Sequence, residues 1–240
     1  VGKYVELQDS YKSILESLIH AGAVNETEIE VISIHSEHLE EGEVAKQLEG
    51  LHGLIVAPGF GERGIEGKIS AITYARANKL PFFGICLGMQ MAVIEYARNQ
   101  AGLTKANSTE MDVDCEEAVI DLMKSQKSII KKGGTMRLGS WDCELATNSK
   151  SALAYQSKII SERHRHRYEF NNDFLERVFD DQFMIAGTNP ETGLVEIIEY
   201  HNHPWFVGVQ FHPEYKSTVS NPHPLFVAFV QAGLAQKATE

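Results

Sequence analysis

Residues 80–90 read Leu-Pro-Phe-Phe-Gly-Ile-Cys-Leu-Gly-Met-Gln, and this stretch decides the fold. Its apolar first half predicts a buried strand that ends at Cys86, and a helical pattern over 90–99 follows at once. A cysteine between two glycines, where a strand turns directly into a helix, is typical of a nucleophile elbow. Glycine is favoured on both sides because the crowded turn leaves no room for neighbouring Cβ atoms. The sequence therefore predicts a nucleophilic Cys86 raised above one edge of a sheet.

The helix that follows the elbow favours the charged form of the thiol. Its first turn presents unpaired N–H groups and positive potential, which stabilise a thiolate at Cys86. The N–H of Leu87 can also face an oxyanion that develops on a substrate carbonyl. The alternative interpretation is a buried structural cysteine in a glycine-rich turn. The strand on one side and the helix on the other favour the nucleophile.

A thiolate in an acyl-transfer enzyme needs a general base, and residues 210–214, Gln-Phe-His-Pro-Glu, offer one. They follow a predicted strand over 206–210, and the carboxyl ends of parallel strands meet at one edge of a sheet. On an extended segment His212 and Glu214 point to the same side, so the carboxylate can orient the imidazole. We predict that Cys86, His212 and Glu214 form a catalytic triad. The alternative is an ordinary surface loop at a strand end.

Apolar spacing in the rest of the chain predicts alternating strands and helices. The further predicted elements are strands at 30–34, 54–56, 184–188 and 195–200, and helices from Tyr11 to Gly22, over 68–78 and over 224–235. The charged stretch 102–150 predicts loops and short β pieces. Short connections between alternating strands and helices favour a parallel sheet. We expect one α/β domain over 1–240, with a central, mostly parallel sheet flanked by helices and a smaller antiparallel β portion.

The composition argues against several classes of function. The chain has 240 residues and a formal net charge of −11, and an acidic surface repels phosphate backbones, so general nucleic-acid binding is disfavoured. No apolar run approaches the roughly 18 residues of a membrane span. Cys86, Cys115 and Cys143 cannot form a closed set of disulfides and include no Cys-x-x-Cys pair, so we expect a reducing, cytoplasmic location. Cys115 and Cys143 have neither an elbow nor a helix start beside them, and we expect both to be inert. The opening residues 1–5 look like the second half of a strand, and we expect that an upstream part is missing.

Residues 58–68, Pro-Gly-Phe-Gly-Glu-Arg-Gly-Ile-Glu-Gly-Lys, contain the spacing G-x-G-x-x-G after a strand. A dinucleotide site would need an acidic residue at the end of the next strand, but that strand ends at Cys86. A phosphate-binding P-loop would need Gly and Ser or Thr where Glu62 and Ile69 stand. We interpret the loop as a source of backbone N–H groups for the thiol site.

Arginine and histidine alternate over 163–167 in this otherwise acidic chain. On a strand, the three arginines would share one face and the two histidines the other. The arginines could clamp a carboxylate or phosphate. A metal site at His164 and His166 lacks an obvious third ligand. The remaining interpretation is a solvated edge strand.

An elbow cysteine with His-Pro-Glu far downstream resembles the class I, triad-type glutamine amidotransferases. Within that class the chain is most similar to the glutaminase domains of CTP synthases. The most specific matches are 133–139, Gly-Gly-Thr-Met-Arg-Leu-Gly, and 163–169, Arg-His-Arg-His-Arg-Tyr-Glu. The other matching segments are 1–5, 59–68, 84–90, 107–110 and 202–206. The resemblance implies a flavodoxin-like class I fold.

The resemblance also implies a role for each matching residue. Cys86 would attack the side-chain amide of glutamine, His212 would protonate the leaving ammonia and then activate water, and Glu214 would orient His212. Glutamine binding and the oxyanion hole would involve Gly59, Leu87, Gly88, Met89, Gln90, Glu110 and Arg167. Among these, Arg167 would hold the substrate α-carboxylate, and Gln90 and Glu110 its head group.

The same resemblance implies partners that this chain does not contain. Ammonia would pass to a synthase domain, which uses ATP and Mg²⁺ to aminate UTP, with GTP as an activator, in a homotetramer. No cofactor or metal is expected in the glutaminase domain itself. Without the synthase domain we expect glutamine hydrolysis at most, and a monomer or weak dimer.

The chain departs from the family pattern at Pro58, where the family has glycine. Proline has no N–H, and loss of an oxyanion donor costs roughly 10²- to 10³-fold in rate, so we predict that Gly59 donates instead. Two other functions remain open. One is a free-standing γ-glutamyl hydrolase or peptidase that uses the same triad. The other is a catalytically silent module that binds effectors.

Overall fold

The computed structural model describes residues 1–39, 42–122 and 136–238. The helices are α1 (Lys12–Val24), α2 (Val44–Leu48), α3 (Ile65–Asn78), α4 (Leu87–Asn99), α5 (Lys150–Tyr155), α6 (Leu175–Val178) and α7 (Pro224–Lys237). The strands are β1 (Leu54–Val56), β2 (Phe82–Ile85), β3 (Ala106–Ser108), β4 (Glu117–Leu122), β5 (Arg137–Leu145), β6 (Ile159–His166), β7 (Tyr168–Phe170), β8 (Phe183–Thr188), β9 (Val195–Tyr200) and β10 (Phe206–Val209). None of these helices is both long and apolar enough to cross a membrane.

The main sheet brings the predicted nucleophile and base to the same edge. Its seven strands lie in the order β1-β2-β10-β9-β8-β5-β6. β2 is parallel to both neighbours, β1 and β10, whereas the pairs from β10 to β6 are antiparallel. Because β2 and β10 are parallel, the residues that follow them, Cys86 and 210–214, meet at one edge. The antiparallel portion is larger than the sequence patterns indicated, since β5 and β6 extend it.

Helices cover both faces of the main sheet, which explains the uninterrupted apolar run of β2. On one face, packed against α3 and α4, the rings of Phe82 and Phe206 lie 4.3 Å apart. On the other face, packed against α1 and α7, Phe83 meets Phe226 edge-on at 5.2 Å. A smaller sheet has the order β3-β4-β7. The strand before the elbow is therefore held from both sides.

Residues 30–34 form no strand, contrary to the sequence prediction. Among the described residues, the β-pairing beside this segment is one isolated parallel bridge between Gly2 and His35. Val31 and Ile32 are 45% and 55% exposed. The carbonyl of Ile34 accepts from the N–H of Gly2 at 3.1 Å, but residues 30–33 have no described strand beside them, and strand preference depends on such packing.

Several helix boundaries also differ from the prediction. α1 continues through Gly22, where a Cβ would lie 2.7 Å from the carbonyl oxygen of Thr27, so this glycine permits close packing and does not end the helix. α4 begins directly after Cys86, earlier than the predicted residue 90. The basic stretch 124–134 and the first three residues of the 133–139 motif lie outside the described residues.

Candidate active site

Cys86 occupies a strained turn between β2 and α4. Its backbone has φ 52° and ψ −101°, which residues with a Cβ rarely adopt, and its N–H donates to the carbonyl of Val209 at 2.7 Å. A Cβ at Gly84 would lie 2.8 Å from the backbone carbonyl of Gly88, and one at Gly88 would overlap the carbonyl oxygen of Val56. Close backbone approach therefore requires both glycines, as the sequence predicted.

His212 and Glu214 meet the elbow across the parallel pair of strands. His212 Nδ1 lies 2.7 Å from Glu214 Oε1, and both side chains are buried. The backbone differs from the prediction, because Pro213–Tyr215 form a 3-10 turn and the segment does not stay extended. Proline at the first position favours this turn, since its fixed φ suits helical backbone. The N–H of His212 donates to the carbonyl of Arg163 at 2.8 Å, which ties the base to β6.

Two negative neighbours raise the pKa of His212. Burial is the largest single influence and lowers the pKa, but the charge of Cys86 and the Glu214 carboxylate together outweigh it and raise the pKa to about 11. His212 is therefore protonated at neutral pH. Nδ1 is taken by Glu214, and Nε2 makes no hydrogen bond of standard geometry with a described residue. Nε2 is thus the nitrogen left for proton transfer.

Two buried lysines hold the glycine loop, which begins at Pro58 and leads into α3, over the elbow. Lys3 Nζ donates to the carbonyls of Phe60 and Gly61, and Lys68 Nζ donates to the carbonyl of Ala57 at 2.5 Å. Burial, reinforced by the charge of Lys3, lowers the pKa of Lys68 to about 7. These contacts place Gly59 against Leu87, since a Cβ on Gly59 would lie 3.4 Å from Leu87 Cδ2.

The predicted oxyanion residues Gly59 and Leu87 thus lie together. Gly88 and Met89 follow in the first turn of α4, and both are buried. Sequence reasoning missed the lysines because lysine is rarely buried, and nothing in the local pattern marks Lys68.

The three predicted glutamine-binding side chains converge on Tyr168. Gln90 Nε2 donates to the carbonyl of Tyr168 at 2.9 Å. Burial raises the pKa of Tyr168, the charge of Glu110 raises it further and the charge of Arg167 lowers it, so both charges are within electrostatic range of its hydroxyl group. Glu110 Oε1 also accepts the N–H of Gly61 at 2.9 Å. The acid therefore connects the candidate substrate pocket with the glycine loop.

Residues 163–166 of the alternating basic segment lie in β6 with the two faces that the sequence predicted, whereas Arg167 follows the end of the strand. Arg163 and Arg165 are exposed, whereas His164 and His166 are buried. The two histidines contact each other, with His164 Nδ1 2.8 Å from His166 Nε2. Within the described ranges no group of three or more His, Cys, Asp or Glu side chains could hold a metal ion.

A buried cluster of charges lies behind the histidines and was not predicted. Arg137 forms ion pairs with Glu169 at 3.1 Å and with Glu196 at 2.7 Å. Glu196 also lies 3.7 Å from His164. Burial, together with the charge of Arg137, lowers the pKa of His166 to about 3, so the histidine is neutral at physiological pH. This cluster links β5, β6, β7 and β9 behind His212.

Comparison with known proteins agrees with this geometry. The family model for glutamine amidotransferase class-I matches residues 6–232. The CTP synthase of Christiangramia forsetii is 63% identical over 232 residues, which cover 97% of this chain and 42% of that protein. The CTP synthase of Flavobacterium psychrophilum is 62% identical, with 99% and 44% covered. The chain spans less than half the length of these curated relatives.

Solved structures give the same result. The glutaminase domain of Trypanosoma brucei CTPS with bound acivicin superposes with a TM-score of 0.91 at 36% identity, covering 98% of this chain and 92% of that one. A putative GMP synthase protein from Thermoplasma acidophilum shares the fold alone, with a TM-score of 0.61 at 16% identity. The predicted class I fold is thereby confirmed. The chain belongs to the class I glutamine amidotransferase family, in its branch of CTP synthase glutaminase domains.

Proposed function

We propose that the chain hydrolyses L-glutamine to glutamate and ammonia through a thioester on Cys86. The observation that carries the proposal is the meeting of Cys86 with the His212–Glu214 pair at the edge of two parallel strands. An elbow thiolate, an imidazolium and an orienting carboxylate are the groups that acyl transfer from an amide needs.

The first half of the reaction uses the charges already present in the site. The sulfur of Cys86 attacks the side-chain carbonyl carbon of glutamine, and the N–H groups of Leu87 and Gly59 donate to the oxyanion. His212, held through Nδ1 by Glu214, gives its Nε2 proton to the departing nitrogen. Ammonia leaves and the γ-glutamyl group remains on the sulfur.

In the second half, neutral His212 takes a proton from water, and the water oxygen bonds to the acyl carbon. The carbon–sulfur bond then breaks, with its electron pair returning to Cys86. The product is glutamate, and the site regains its pair of charges.

Substrate recognition follows from the charges near Tyr168. Free glutamine carries an α-carboxylate, which Arg167 can pair with, and an α-ammonium group, which Glu110 can pair with. The carboxylate of Glu110 also accepts the N–H of Gly61 at 2.9 Å, so substrate binding and the position of the glycine loop are connected. Gln90, buried beside them, would contact the head group.

The activity of the whole protein is part of the same proposal. The relatives are more than twice as long as the matched region, which leaves room for a synthase domain upstream. We infer that this domain uses the ammonia, with ATP and Mg²⁺, to aminate UTP in pyrimidine biosynthesis, and that GTP stimulates the glutaminase. A cytoplasmic homotetramer and a single glutaminase domain over 1–240 complete the proposal.

The test is selective labelling of the thiol. The purified chain is treated with acivicin, which the related Trypanosoma brucei domain binds, and the adduct is mapped by mass spectrometry with and without free glutamine. We expect one adduct, on Cys86, that glutamine suppresses. Burial raises the pKa of Cys115 and, more strongly, of Cys143, so these two thiols serve as internal controls.

Three results would contradict the proposal. Equal labelling of all three cysteines would mean that no glutamine pocket is formed. If γ-glutamyl peptides suppressed the labelling of Cys86 more strongly than glutamine does, the result would favour a γ-glutamyl hydrolase. Unchanged glutamine hydrolysis in Cys86→Ser would exclude the thioester.

A further inference from the structure

A relay of two buried amides, Gln90 and Gln210, reaches the sulfur of Cys86, and Gln210 plays no part in the steps above. Gln210 Nε2 donates to Cys86 Sγ at 3.7 Å. Gln210 Oε1 accepts from Gln90 Nε2 at 3.2 Å, and Gln90 Nε2 also donates to the carbonyl of Tyr168 at 2.9 Å. Gln210 is fully buried and Gln90 is 3% exposed, so water does not replace these contacts.

The direction of this relay is fixed by its far end. The carbonyl of Tyr168 can only accept, so Gln90 must present its NH₂ group to it. The same NH₂ group reaches Gln210, which must therefore present its oxygen. If the Gln210 amide were reversed, two NH₂ groups would face each other. The hydrogen-bond network thus leaves the NH₂ group of Gln210 facing the sulfur.

The backbone of Gln210 does not depend on this side chain. Its N–H donates to the carbonyl of Glu196 at 2.8 Å, a bond that any residue other than proline would make. The polar side chain is therefore not needed to hold the strand end. An apolar residue of similar length would also avoid the cost of burying an amide.

We propose that the amide of Gln210 stabilises the sulfur of Cys86 twice: as the thiolate of the free enzyme, and as the leaving group when the thioester is hydrolysed. The inference rests on the proposed thioester mechanism. An N–H group binds a charged sulfur more strongly than a neutral thiol or thioester. Gln210 therefore increases the thiolate fraction of the free enzyme. When water has added to the thioester, it also stabilises the sulfur that takes the electron pair of the breaking bond.

The relay also connects the sulfur with the substrate pocket. Gln90, which the proposed function places beside the substrate, is oriented by the same oxygen of Gln210. Loss of the Gln210 amide should therefore affect the sulfur directly and Gln90 indirectly. A titration of the sulfur separates these two effects, because it requires no glutamine.

The experiment follows thiolate formation with pH by its ultraviolet absorbance, taken as the difference between each protein and the same protein carrying Cys86→Ser. Gln210→Met removes the donor at similar length. Gln210→Glu keeps the acceptor toward Gln90 and replaces the donor by an oxygen. The matched control is Gln182→Met, which removes an amide that contacts the hydroxyl of Tyr200.

We expect the midpoint of thiolate formation to rise by about one pH unit in Gln210→Met, a roughly tenfold lower thiolate fraction at a given pH. Gln210→Glu should shift it in the same direction, and Gln182→Met should not shift it. Thermal unfolding shows whether each variant is folded. An unchanged midpoint in either folded Gln210 variant overturns the inference.

Failure of the proposed function gives a different pattern. Wild-type protein that is not labelled competitively would reject glutamine as the substrate, while the titration would still report on Gln210. Competitive labelling of the wild type together with an unchanged midpoint in the variants would reject the role of Gln210 alone.

Discussion

The protonation of His212 depends on its two negatively charged neighbours. Glu214 contacts Nδ1, and Cys86 acts from the other side. The Glu214 side chain is buried, so its charge is balanced mainly by the imidazolium. Removing one member of such a buried group leaves the others without compensation. The site is therefore best tested by changes that keep shape and alter charge.

The substitution Glu214→Gln should lower the pKa of His212 from about 11, because one of the two charges that raise it is lost. Because the pKa of His212 is higher in the folded protein than in the unfolded chain, its protonation contributes stability that is fully present below a pH of about 6.5. This contribution disappears as the pH rises toward the folded pKa. The alkaline loss of stability should therefore be smaller in Glu214→Gln than in wild type, and kcat should fall by about 10²-fold.

Both effects are measured by glutamine hydrolysis and by denaturant unfolding across the alkaline range. The control is Glu176→Gln, an exposed carboxylate on α6. Equal alkaline slopes in wild type and Glu214→Gln would contradict the role of this carboxylate in holding the proton.

Among elements, the junction of β1, β2 and α4 determines where the sulfur lies. The first turn of α4 packs directly on β1, and a Cβ at Gly88 would overlap the carbonyl oxygen of Val56. Neither the strand nor the helix can move away freely, because β2 is hydrogen-bonded on both sides and α4 is buried along most of its length.

The substitution Gly88→Ala should therefore destabilise the fold by about 1–3 kcal/mol, the usual cost of overpacking a core. Denaturant unfolding measures this change. Gly233→Ala, on α7, is the matched control, since its Cβ would lie 3.1 Å from the nearest atom, the carbonyl oxygen of His52, and should cost far less. Equal losses in the two variants would mean that the contact with β1 is not the cause.

The sequence predicted those parts of the site that depend on local spacing. The elbow at Cys86 and the alternation over 163–166 could be predicted because each is set by neighbours a few residues away. The strand at 30–34 was predicted wrongly, since strand formation needs a partner that lies elsewhere in the chain. Lys68 and Gln210 could not be identified as site residues, because their contacts are made only after the chain has folded.

Across the whole molecule, the buried charge cluster couples stability to pH. Burial raises the pKa of Glu169 to about 7 and that of Glu196 to about 6, although Arg137 opposes both shifts. Burial also lowers the pKa values of His164 and His166. As the pH falls through the weakly acidic range, the two acids take up protons in the folded protein, and this uptake stabilises the folded state. The two histidines stay neutral in the folded protein but take up protons in the unfolded chain, and this difference destabilises the folded state.

The two pairs therefore oppose each other between pH of about 4.5 and 6.5, and below that range the histidines act alone. We expect a nearly flat contribution to stability in the first window and a loss of about 1.4 kcal/mol per pH unit for each histidine below it. Denaturant midpoints at closely spaced pH values would show the break. The double variant His164→Gln/His166→Gln should lose less stability at low pH, with exposed His201→Gln as control. An equal loss of stability per pH unit at low pH in wild type, the double variant and His201→Gln would contradict this explanation.

The backbone at Cys86 has a consequence for laboratory evolution of this protein. At φ 52° glycine is the residue that the main chain favours, and any side chain there carries a conformational cost of about 1–3 kcal/mol. Selection for heat resistance would therefore favour replacing the nucleophile, whereas selection for ammonia production would retain it. A library screened for folding alone would accumulate well-folded proteins that cannot carry out the reaction.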